Sequence, residues 1–77
     1  MKFEEFTAWL QSTKGMTLRG ASDVTSRIRR ALKLLDADCI NADSFSKMAL
    51  LPEYKTLSIN IRSQLKRAIT LYNEFNK

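Results

Sequence analysis

The sequence has no histidine, one cysteine, one proline and two glycines in 77 residues, and each shortage removes a class of function. Without histidine the commonest general base and the usual neutral-pH switch are both missing. The single Cys39 forms no internal disulfide, and with no histidine to join it a structural zinc site of the Cys/His kind cannot be assembled. There is no glycine-rich phosphate loop, no nucleophile elbow and no carboxylate pair on a shared buried face. No catalytic residue, metal ligand or cofactor is therefore expected, and the chain is read as something other than an enzyme. No apolar run approaches the ~20 residues of a membrane span. The opening stretch carries Glu4 and Glu5 where a secretion signal needs cationic and then apolar residues. The expectation is a cytoplasmic chain with no membrane partner and no small-molecule substrate.

Apolar residues and positive charge are what the chain does have. At 44% hydrophobic with a net charge of +5 it is too apolar to stay disordered, and its length fits one small domain spanning residues 1–77. Thirteen Lys and Arg stand against eight Asp and Glu, with no basic tail to hold the excess. The charge is thus built into the folded elements, and such a balance favours an anionic partner, nucleic acid foremost.

Helical periodicity divides the chain into four. Ile61, Leu65, Ala68, Tyr72 and Phe75 recur at spacings of four, three, four and three, which predicts a helix over 58–75 capped by Ser58, with Ile69 and Leu71 flanking its apolar stripe. Arg62 and Lys66 lie on one shoulder of that stripe and Arg67 on the other. Phe3, Phe6, Trp9 and Leu10 predict a first helix over 2–13, with Glu4 and Glu5 at its positive end and Gly15 after its close; the aromatic rings are expected inward, as core. Met16 to Gly20 reads as a loop, and Ser22 followed by Asp23 as the cap and first residue of a helix over 23–35. Val24, Ile28, Ala31, Leu32 and Leu35 share one face of that helix, while Arg27, Arg29, Arg30 and Lys33 form an arc of one sign opposite. An arc without carboxylates forgoes the small gain of mixed-sign pairs, and a phosphate backbone would account for it.

Asp36 to Ala42 reads as a connection; its Asp36, Asp38 and the nearby Asp43 lack the glycine and distal glutamate of a calcium loop. A short helix over 44–51 follows, filled by Phe45, Met48 and Ala49 and stopped by Pro52, and Cys39 is expected as a small buried hydrophobe. The result is an all-α domain of four helices with a core of Phe6, Trp9, Ile28, Leu32, Phe45, Leu65, Ala68 and Tyr72.

The succession Phe6-x-x-Trp9-Leu10, then Ile28-Arg29-x-x-Leu32, a short helix near Phe45, and Leu65-x-x-Ala68-x-x-x-Tyr72-x-x-Phe75 resembles the SAM-like core-binding domain of phage integrases and other tyrosine recombinases over nearly the whole chain. The resemblance implies a compact four-helix SAM-like bundle that forms half of a clamp around DNA, with the second and fourth helices facing the duplex. The recombinase catalytic domain is not among these residues, so the expectation is a fragment or stand-alone relative that binds without cutting, alone or beside a catalytic domain or other protein. Arg27, Arg30, Lys33, Arg62, Lys66 and Arg67 are the expected DNA contacts, forming one positive surface. The alternative is a helical protein-interaction domain, a phage or mobile-element adaptor with a basic surface.

Overall fold

The computed structural model describes residues 2–77. They form α1 (Phe3–Thr13), α2 (Leu18–Leu35), α3 (Ser44–Ala49), α4 (Pro52–Lys55) and α5 (Ile59–Phe75), with no strand among the described residues. The all-α expectation holds. There are five helices rather than four, however, and two of the expected boundaries move.

The larger correction is at the start of α2. The residues expected as a loop belong to the helix, which begins five residues before Asp23. Thr17, in extended conformation, is the N-cap, and its hydroxyl accepts a hydrogen bond from the Gly20 N–H at 3.1 Å. Gly20 misleads because glycine usually interrupts a helix. Here it occupies the first turn, where a Cβ would stand 3.3 Å from the Thr17 hydroxyl, so its bareness leaves room for the cap. Gly15, at φ +65°, makes the reversal after α1, and the Met16 N–H returns to the Leu10 carbonyl at 3.2 Å.

The second correction is Pro52, which opens a helix as well as ending one. Leu51 before it is held extended, as the ring requires, and Pro52 takes the first position of the single turn α4. That turn delivers Tyr54 to the interior, where its hydroxyl donates to the Arg62 carbonyl at 3.3 Å and its ring meets Phe45 edge-on at 6.1 Å. α3 closes at Ala49, two residues early, leaving Leu50 as a largely exposed C-cap. Its start is arranged by Asn41: the Ser44 hydroxyl accepts from the Asn41 N–H at 2.8 Å, and the Asn73 side-chain amide of α5 donates to the Asn41 carbonyl at 3.1 Å.

α5 begins as its periodicity predicts, with Ser58 as N-cap accepting from the Ile61 N–H. α2 lies between α1 and α5 and packs on both. The core holds Phe6, Ile28, Leu65, Ala68 and Tyr72 as expected, joined by Leu10, Ala21, Ile40, Met48, Tyr54 and Ile69. Trp9, Leu32 and Phe45 are instead half-buried and pack on its edge. Around Phe6 the rings of Tyr72 and Phe75 stand at 5.0 and 5.4 Å, closing α1 onto the end of α5. Between α1 and α2 the hydroxyls of Thr7 and Thr25 are 2.7 Å apart, each also within reach of a carbonyl one turn back, Phe3 and Ala21 respectively. Two hydroxyl protons serve three contacts, so one contact lacks a proton at any instant. Cys39 is exposed, against expectation; the buried residue of that connection is its neighbour Ile40.

Candidate functional site

Once Ser58 fixes where α5 starts, the burial of Leu65, Ala68 and Tyr72 leaves Ser63, Lys66, Arg67 and Thr70 outward. These four, with Leu71 and with Lys14 from the C-cap of α1, line an open depression of about 450 Å³. Lys66 reaches over the Phe45 ring with its ammonium 5.3 Å from the centroid, so its stem is steadied by α3. Lys14 sits over the Trp9 ring at 5.6 Å and its Nζ pairs with Glu74 Oε1 at 2.6 Å. That is the one ion pair among the described residues. The Thr70 hydroxyl donates to the Lys66 carbonyl at 2.9 Å, which leaves its lone pairs, not its proton, toward the depression.

The six expected contacts divide into three groups. Lys66 and Arg67 are exposed and brought together at the depression. Arg30 and Lys33 are exposed on the side of α2 turned away from its packed face, and neither lines the depression. Arg27 and Arg62 are half-buried. Arg27 stands on a flank of α2, one turn from the buried Val24 and Ala31, and so is not opposite the apolar stripe. Arg62 is drawn in by α4: its carbonyl accepts from Tyr54 and its Nε is enclosed without a hydrogen-bond partner. A half-enclosed guanidinium of this kind serves packing through its stem before it serves a ligand.

The arc on α2 also changes in character. Because the helix starts at Leu18, Asp23 is not at its positive end but on the solvent side, one turn from both Arg19 and Arg27. The arc therefore contains a carboxylate. Arg29 leaves it for the groove between α1 and α2, with its guanidinium 4.7 Å from the Phe3 ring centroid.

Lys14 is the site residue that sequence reasoning missed. It is sixty positions from its partner Glu74, follows the last helical turn of α1, and carries no periodic signal; only the closure of α1 onto α5 brings it in. Its neighbour in the site, Leu71, was readable as a flank of the α5 stripe.

No protein-family model, curated protein or solved structure matches the chain.

Proposed function

We propose that this chain is a cytoplasmic DNA-binding module with no chemistry of its own, holding duplex DNA through basic helix faces. The observation that carries the reading is that Arg30, Lys33, Lys66 and Arg67 are exposed and none has a carboxylate within 4.0 Å. Cations left without internal partners are the ones a phosphate backbone can engage, releasing its counterions. The resemblance to the SAM-like core-binding domain of tyrosine recombinases supports the same partner: in that reading α4 is an added turn, and α2 and α5 are the helices that face the duplex. The module then works beside a catalytic domain or another protein that supplies the chemistry.

The test is titration of the protein with random-sequence duplex across a range of salt, read by mobility shift or amide chemical shifts. Binding is expected at low salt, falling steeply with a slope of about −0.9 for each phosphate contacted. A second reading, a protein-interaction domain, is favoured by the exposed apolar side chains of Leu18, Leu50 and Ile59. Absence of any duplex-dependent change at low salt rejects the DNA reading and leaves that one.

A further inference from the structure

We infer that the α5 depression is a seat for one backbone phosphate, and that Glu74 regulates it by holding Lys14, its third cation, in a pair that the phosphate must displace. The inference rests on the DNA-binding reading and assigns within it the site and its internal competitor.

The geometry is as follows. Arg67, Leu71 and Glu74 are spaced four and three apart, so they run in a row along one side of α5. Lys14 comes from α1 to the end of that row. Lys66 lines the depression from the other shoulder, with its ammonium lying over the Phe45 ring of α3. Three cations from two helices thus border a space that also presents the Ser63 hydroxyl. Neither Lys66 nor Arg67 has a carboxylate partner, whereas Lys14 does. A phosphate oxygen placed among the three would offer the Lys14 ammonium a second anion, and the two anions repel. The pair to be given up is a weak one, with side chains 31% and 44% exposed, and such pairs contribute little in water. The Trp9 ring, 5.6 Å from the ammonium, faces the cation as well as Glu74 does. Glu74 therefore sets the affinity of the seat without touching the ligand.

The experiment measures affinity for a short random-sequence duplex at low salt by fluorescence anisotropy, using wild type, Lys14→Ala, Glu74→Gln and the double variant, each checked for an unchanged thermal midpoint. Glu74→Gln is expected to tighten binding about threefold, by releasing the Lys14 ammonium from its pair so that the phosphate need not displace it. Lys14→Ala is expected to weaken it by about tenfold and to lower the salt slope by about one. The double variant should match Lys14→Ala, because Glu74 acts through that lysine. Amide shifts on titration with inorganic pyrophosphate should move at Ser63, Arg67 and Thr70. If wild type binds duplex but both single variants bind equally well, the seat is not here, and the DNA reading survives on α2. Equal tightening by Glu74→Gln with and without Lys14 would reduce Glu74 to a general field effect and overturn the displacement. If wild type binds no duplex at all, the DNA reading falls and the seat with it.

Discussion

The outward side of α2 carries four exposed cations and that of α5 only two, and the two sides present them differently. On α2, which packs on α1, α3 and α5, Arg30 and Lys33 are exposed and line no depression. On α5, Lys66 and Arg67 border a depression to which α1 adds Lys14, with aromatic rings under two of the three stems. Field strength falls with separation and is screened by salt, whereas charges converging on one space add there. A count of positive residues favours α2, convergence favours α5, and convergence depends on how the ends of the helices meet.

The comparison fails entirely if the packing that sets both faces is wrong, so the largest effect belongs to Leu65. It is 1% exposed on the side of α5 turned to the core, and Leu65→Ala should cost about 2–5 kcal/mol. That is a large share of the stability of a chain this short, and denaturant unfolding measures it. A change within about 0.5 kcal/mol would mean that α5 is rotated and that Lys66 and Arg67 do not flank one space. Next comes the direct contrast. Lys66→Glu with Arg67→Glu should weaken duplex binding by roughly a hundredfold at low salt, while Arg30→Glu with Lys33→Glu should weaken it by about tenfold. The reverse order would make α2 the main contact. A smaller effect separates stem from charge within α2. Arg27→Ala should cost about 1 kcal/mol through lost packing, and Arg30→Ala should stay within about 0.5 kcal/mol, both read from thermal or denaturant midpoints.

The inward sides of the helices were the readable part. α5 follows a five-residue stripe, and a stripe needs nothing but regular spacing to be seen; its middle members Leu65, Ala68 and Tyr72 are buried, and Ile61 and Phe75 at its ends are half-buried. What escaped were features made by single residues in unusual roles. Gly20 reads as a breaker until it is seen in the first turn, giving its N–H to the Thr17 cap. Pro52 reads as a stop, although the same fixed backbone that ends α3 suits the first position of α4. Tyr54 belonged to no stripe and is buried only because that extra turn exists. Of the candidate site, Lys66 and Arg67 were readable as exposed shoulders of a helix. The half-burial of Arg27 and Arg62 was not, since it depends on what lies beside the helix and not on the helix itself.

The smallest effect tests the seal on the inward side of α5, where Tyr72 meets Phe6 of α1. Burial pushes the Tyr72 phenol above its ordinary value, because the phenolate would have to form out of water; the Lys2 backbone N–H opposes the rise, and the negative charges of Cys39 and Glu5 add to it. In the unfolded chain the phenol ionises near pH 10. Between that value and the raised one, the folded state holds a proton that the unfolded state has released. The contribution is therefore fully present below about pH 10 and is lost as pH rises through the folded value. Wild type should lose more of its thermal midpoint between about pH 9 and 11 than Tyr72→Phe does. Lysines also deprotonate in that window, but they do so in both proteins and cancel in the difference. Equal losses would show that water reaches the phenol hydroxyl, so that the aromatic contact of Tyr72 with Phe6 of α1 is open to solvent at its rim.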